Sequence, residues 1–229
     1  MITSILRRVA HRLLHCAEKI EEGGRLEELD RWRRDRGDLT LRLNYTLTAA
    51  SEVWDVGGYE GQWASDIVAR FGCRVNVFEP MPAAASAIRL RFASNPLVRV
   101  YGYALGAKNQ NGLLSSAADA SRLIDAGAES DSVPVEIRDI MEVWRSLGSA
   151  PVALMKINIE GAEYDLIERM AEAGMLAHVA EIQVQFHAFV PQAKERKERV
   201  AALLMKTHEQ SWGYEFVWEN WRRRSIAQI

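Results

Sequence analysis

The chain has 229 residues, and its 29 lysines and arginines against 31 aspartates and glutamates leave a net charge of −2, which speaks against a dedicated nucleic-acid binder. Hydrophobic residues at 48% and charged residues at 26% are the proportions of a globular chain that buries a core and exclude general disorder. No run approaches the ~18 uninterrupted apolar residues of a membrane span, and two cysteines, Cys16 and Cys73, without metal spacing suit a reducing, cytoplasmic setting.

The first segment is helical in pattern. Ile2, Ile5, Leu6, Val9, Leu13, Ala17 and Ile20 recur at spacings of three and four, with Arg7, Arg8, Arg12 and Lys19 mostly off that stripe, which predicts an amphipathic helix stopped by Gly23 and Gly24. It lacks the apolar run and small-residue cleavage site of a secretory signal. Three arginines and no acid fall in the first 17 residues. Such a basic helix can lie on a membrane surface, pair with another subunit or cover the domain, and covering is the preferred reading. A charged segment, LEELDRWRRDRGD, follows, and a boundary near residue 50 divides a helical extension (1–50) from the main domain (51–229).

From residue 51 short apolar runs alternate with helical stretches. SEVWDV at 51–56 reads as a strand ending in glycines, 62–70 as a helix, and RVNVFE at 74–79 as a strand closed by Pro80. Helices at 82–93, 139–147 and 164–173 alternate with strands at 98–103, 152–158 and 179–186. This alternation predicts an α/β fold with a mostly parallel, Rossmann-like sheet and helices on both faces. After a charged helix at about 193–210, YEFVWENWRRRSIA has room for two short strands and a tight turn, which predicts an antiparallel edge. The aromatic residues there, Trp212, Trp218 and Trp221, are read as packing, and Arg222, Arg223 and Arg224 as a solvated face.

Residues 55–61, DVGGYEG, fall where the first strand turns into its helix. Glycines there let a ligand approach the backbone, because no Cβ intervenes and positive φ is open to them. The spacing is not GxGxxG, and Asp55, two residues before the first glycine, would repel the pyrophosphate of a dinucleotide. The same carboxylate suits the ammonium and sulfonium of S-adenosylmethionine. Glu79, closing the second strand, stands where an acid accepts hydrogen bonds from ribose hydroxyls in sheets of this kind.

The second dense constellation is KINIEGAEYDLIERM at 156–170. Asn158, an amide at the carboxyl end of a central strand, gives up β-propensity to lie over the ligand crevice. Glu160 and Glu163 open the next helix, and helix initiation alone accounts for Glu163 better than for Glu160. The fifth strand ends in QFH, which brings His187 to the same sheet edge with a side chain suited to taking a proton near neutrality. The histidines at 11, 15, 178 and 208 receive no role.

Together DVGGYEG, FEP at 78–80, KINIEGAEYDLIE at 156–168 and IQVQFH at 182–187 resemble the FkbM family of S-adenosylmethionine-dependent methyltransferases over about residues 50 to 221. The resemblance implies a class I methyltransferase sheet and methyl transfer to oxygen, the acceptor being a small molecule or glycan with a sugar hydroxyl. By motif position it gives cofactor-binding roles to Asp55, Gly57, Gly58, Gly61 and Glu79, and a lesser one on the adenine side to Ala104. Many family members carry aspartate where this chain has Asn158. An amide can still orient a hydroxyl, and the general base then falls to His187 or Glu160, so that His187, Asn158 and Glu160 form the expected catalytic set. No metal is expected, because nothing in the spacing of Glu160, Glu163 and His187 demands a shared ligand point. Two rival readings stay open. A nicotinamide-dependent oxidoreductase is disfavoured by Asp55 and the missing GxGxxG, and a non-catalytic module on a degenerate methyltransferase fold is favoured only by Asn158.

Overall fold

The computed structural model describes residues 24–115, 123–124 and 132–225. The amphipathic helix expected over residues 2–20 lies outside them. Of its two stop glycines only Gly24 is described, and it is helical, in α1 (24–34). After a short 3-10 turn at Leu41–Leu43 come β1 (Glu52–Val56), α2 (Gln62–Phe71), β2 (Arg74–Phe78), α3 (Pro82–Arg91) and β3 (Val98–Tyr101). Four further strands follow, β4 (Ala104–Gly106), β5 (Gln110–Ser115), β6 (Leu123–Ile124) and β7 (Ser132–Asp139). The chain continues through α4 (Ile140–Ser146), β8 (Leu154–Ile157), α5 (Glu163–Glu172), β9 (Glu181–Val184), α6 (Ala193–Leu204), β10 (His208–Tyr214) and β11 (Trp218–Arg223). Among the described residues no helix is long and apolar enough to cross a membrane.

The main sheet has seven strands in the order β10-β11-β9-β8-β1-β2-β3, with parallel pairing from β9 to β3. β11 runs antiparallel to both β9 and β10, so an antiparallel hairpin does sit at the edge, but α6 ends at Leu204 rather than near 210 and β10 begins at His208, ahead of the stretch in which both strands were expected. The central strands are apolar runs because both faces are covered. On one face Val53, Val77 and Leu154 meet Trp63 and Ile67 of α2 and Ile88 of α3. On the other, Trp54, Phe78, Met155 and Ile157 meet Ile140 of α4, Leu166 of α5 and Val200 of α6. The chain leaves β1 towards β2 on one side and later returns to β8 on the other, so the carboxyl ends of β1 and β8 part around a crevice.

One row across the first face is polar. Asp55, Lys156, Gln183 and Asn220 are successive register partners on β1, β8, β9 and β11. The segment between α1 and β1 covers its outer half, where the Gln183 amide donates to Tyr45 Oη at 2.6 Å and Tyr45 Oη to Asn220 Oδ1 at 3.0 Å. α1 docks beside it through Trp32, buried against Tyr214, Val217 and Trp218.

Before the helix expected at 139, where no element was expected, the described strands β4, β5, β6 and β7 form a second sheet in the order β4-β7-β5-β6. Its signal is alternation. In SVPVEIRD of β7, Val135, Ile137 and Asp139 are buried while Glu136 and Arg138 are exposed, the period of a half-buried strand. Asp139 then caps α4, accepting from the Met141 and Glu142 backbone N–H groups.

Candidate active site

The turn after β1 is bent around its glycines. Gly57 and Gly58 both donate to Phe78 O on β2, and Gly57 has φ of +86°. A Cβ on Gly57 would lie 1.9 Å from Asn158 O, and one on Gly58 would lie 2.3 Å from Val77 Cγ1, so neither position admits a side chain without moving its neighbours. Gly61 does something different. It caps α2 at φ +74° and packs towards Ile88 and Phe92, away from the crevice. Glu79 reaches back over the turn, its two oxygens accepting from Tyr59 N at 2.7 Å and Met81 N at 2.9 Å. Burial raises its pKa, and these two backbone donors oppose the rise. Each carboxylate oxygen still has a lone pair for a ligand hydroxyl.

Asp55 is held otherwise than expected. Its carboxylate is fully buried, does not line the crevice, and is paired with Lys156 Nζ at 2.9 Å. The same ammonium donates to Gly57 O at 2.5 Å, tying β8 to the glycine turn. Burial pulls the Lys156 pKa down and the Asp55 charge works against that. The negative charge expected to attract a cationic ligand is therefore balanced by a lysine that was not among the expected site residues, although it lines the crevice itself.

At the end of β8 the backbone pairs once more, Asn158 N to Val56 O at 3.0 Å, and then turns sharply. Glu160 has φ of +51° and Gly161 +101°, a conformation uncommon for a residue with a side chain. Glu163 organises this turn from below. It is fully buried, its Oε2 accepts from Gly161 N at 2.9 Å, and its Oε1 takes both His187 N at 2.7 Å and His187 Nδ1 at 3.0 Å. The other ring nitrogen, Nε2, lies 3.4 Å from Glu160 Oε2. Burial alone would lower the His187 pKa, but the two glutamates outweigh it and push it up to about 9. At neutral pH His187 is therefore an imidazolium with both nitrogens engaged and no lone pair to offer. That corrects its expected part as general base. It holds Glu160, and Glu163, expected only to start a helix, holds it in turn.

These edges line one cavity of about 1480 Å³, larger than the ~300–1,000 Å³ usual for a single small ligand. Gly57, Gly58, Glu79, Ala104, Asn158 and Glu160 line it, whereas Asp55, Gly61 and His187 do not. β4 and β7 contribute Ala104, Leu105 and Ile137 to the lining, which also includes Leu39, Arg42 and Trp218, the Arg42 guanidinium lying 4.0 Å over the Trp218 ring. Trp218 was read only as packing; it packs and lines the cavity. Among the described residues no group of three or more His, Cys, Asp and Glu side chains is placed to hold a metal ion.

A seven-stranded sheet of this order, with a glycine turn after its first strand and an acid closing its second, is the Rossmann-like architecture of class I methyltransferases. The model of the methyltransferase FkbM domain matches residues 55–216, and the chain belongs to that family of S-adenosylmethionine-dependent methyltransferases. No curated protein matches. Among solved structures, N-methyltransferase NodS from Bradyrhizobium japonicum WM9 with S-adenosyl-L-homocysteine is 12% identical at a TM-score of 0.44, covering 85% of this chain and 88% of that one. The O-methyltransferase TomG from Streptomyces achromogenes with its methyl donor is 14% identical at 0.44, covering 88% and 79%. An rRNA methylase from Streptococcus thermophilus is 10% identical at 0.43, covering 78% and 90%.

Proposed function

We propose that the protein is an O-methyltransferase that binds S-adenosylmethionine over the glycine turn and methylates a hydroxyl of a small molecule or glycan, a sugar hydroxyl above all, in the cytoplasm. The residues at the crevice fit the donor. Gly57 and Gly58 bring the bare backbone of the turn into the cavity lining, and the Glu79 carboxylate keeps lone pairs for a pair of ribose hydroxyls. Ala104 on β4 offers a small side chain beside the base. S-adenosylmethionine, when bound, supplies a methyl group already activated by its sulfonium charge. The protein's work is to hold the acceptor in line and remove its proton.

The observation that carries the oxygen acceptor is the setting of Glu160. Its carboxylate lines the cavity, Oε2 is steadied by the His187 imidazolium, and Oε1 has no protein partner among the described residues. A hydroxyl is poorly nucleophilic until its proton is leaving, and a positioned carboxylate is suited to take it. Methyl groups labelled with tritium, offered with a panel of hydroxylated acceptors, test the reading. Incorporation into an ether is expected, and Glu160→Gln should lower turnover roughly 100- to 10,000-fold while S-adenosylhomocysteine affinity holds. Transfer to nitrogen or carbon alone would sink the oxygen assignment.

A further inference from the structure

Beyond the glycine turn, Glu79 and Ala104, the cavity is lined by Leu39, Arg42, Gln185 and Trp218. Arg42 lies in the 3-10 turn before β1, and the fold anchors it at both ends. Its carbonyl oxygen accepts from Trp63 Nε1 and from Gln183 Nε2, each at 3.2 Å. Its guanidinium stacks on Trp218, and Nε donates to Gln183 Oε1 at 3.3 Å. These contacts fix the plane of a long side chain, so little of its freedom is left to lose on binding a ligand. Nη1 donates to Asp38 Oδ1 at 3.0 Å, and Nη2 carries no hydrogen bond among the described residues.

The two cations on this side of the cavity are balanced differently. Lys156 and Asp55 are buried together, whereas Asp38 exposes 62% of its side chain, so water screens its pair with Arg42 and the guanidinium keeps a field for a ligand. That field is felt at Lys156, whose pKa is lowered by burial and, besides, by the Arg42 charge. Arg42 is anchored at Gln183, and β9 continues through Gln185, still paired to Ile157 O at 3.0 Å, to His187, which holds Glu160. Four residues of extended chain span at most ~14 Å, a distance that one saccharide chain bridges. A lining rich in acids disfavours a polyanion, but a single carboxylate needs a single oriented cation, and the arginine fork matches its two oxygens. We propose that Arg42 selects the acceptor by receiving a carboxylate carried by the molecule whose hydroxyl is methylated, so that the preferred acceptors are acidic saccharides, uronic acids above all, rather than neutral sugars. This rests on the reading of the cavity as the place where donor and hydroxyl acceptor meet, and it gives the segment before β1 a part in specificity besides covering the sheet.

Tritiated S-adenosylmethionine and the full chain test it on oligomers of galacturonate, glucuronate and mannuronate, each beside its methyl ester and its neutral counterpart. The wild type should methylate a uronate with kcat/KM about tenfold or more above that of the ester and of the neutral sugar. Arg42→Gln should raise KM for that uronate about tenfold at nearly unchanged kcat and remove the preference. Arg42→Lys keeps the charge without the fork and should keep part of it. Losses that fall equally on acidic and neutral acceptors would mean that Arg42 only anchors its segment, and would overturn the proposal, as would a preference that survives Arg42→Gln. Should Arg42→Gln lose its unfolding transition, Arg42→Lys and the comparison of each uronate with its ester decide by the same criteria. S-adenosylhomocysteine binding, followed by calorimetry on the same samples, separates the two readings. A wild type that binds it yet methylates only neutral sugars, or none of the acceptors, overturns the acidic acceptor alone; one that does not bind it overturns the donor reading of the cavity as well.

Discussion

Two buried histidines have their proton affinities driven apart by what surrounds them. His208 donates its Nε2–H to Val179 O and accepts the Thr207 hydroxyl at Nδ1, and burial lowers its pKa to about 4. His187, equally enclosed but between Glu160 and Glu163, is pushed up to about 9. The consequences for stability have opposite signs. Below its ordinary pKa of ~6.5 an unfolded histidine is protonated, so as pH falls towards 4 the unfolded state binds the His208 proton first and stability drops. For His187 the folded state keeps the proton longer. Its contribution is fully present below pH ~6.5 and is lost as pH rises through about 9. At ~1.4 kcal/mol per unit the contribution is about 3 kcal/mol. Urea unfolding of wild type and His187→Gln should therefore differ most near pH 6, with the gap narrowing by about that amount at pH 10; a gap independent of pH would rule out the imidazolium clasp. Both histidines were visible as residues, but the sequence carries no sign of which would be charged. That is decided by Glu163 and Val179, which lie 24 and 29 positions away. Lys156 was hidden for the same reason, its partner Asp55 standing 101 positions earlier.

The polar row across the main sheet works at the scale of elements. Buried Asp55, Lys156, Gln183 and Asn220 would each be costly on a covered face, and each is met by a neighbour in the row or by the segment before β1. Tyr45 is the joint between the segment and the row, bridging Gln183 and Asn220, and burial raises the pKa of its phenol. Tyr45→Phe keeps the ring and removes the bridge. It should cost about 1–3 kcal/mol in denaturant unfolding, the usual penalty for stranding buried polar groups. It should also weaken acceptor binding, because Arg42 and Leu39 of the same segment line the cavity. A variant as stable as wild type would mean that water fills the joint. The parallel strands and their helices were legible because apolar runs bounded by glycine and proline announce strands covered on both faces. The second sheet was not, although β7 alternates over eight residues, since β4 and β5 are rich in glycine, glutamine and asparagine that do not announce a strand. The covering segment was not, since Leu41, Leu43, Tyr45 and Leu47 pack on the core from a stretch that forms no regular strand and carries charged and polar residues between them.

For the whole molecule, a net charge of −2 is an average over unequal surfaces. Nine acidic residues against four basic ones line the cavity, so the interior field there is more negative than the chain's total suggests. Such a cavity disfavours a pyrophosphate and tolerates a zwitterion or cation. That preference does not come from Asp55, whose charge Lys156 balances, but from the acids that line the cavity around the turn. Ligand-linked stability makes the choice measurable, since only a molecule that binds the folded state raises the midpoint of unfolding. S-adenosylhomocysteine at 100 times its dissociation constant adds about 2.7 kcal/mol. At roughly 2–4 °C per kcal/mol for a chain of this size, the midpoint should rise by about 5–11 °C. NAD at the same concentration should leave it within about 1 °C, because its pyrophosphate meets the acidic lining and Lys156, the lysine beside the glycine turn among the described residues, is already paired with Asp55. A comparable rise with NAD would reinstate the oxidoreductase reading. A rise with neither ligand would leave the methyltransferase sheet as a binding module whose ligand is something other than a nucleoside.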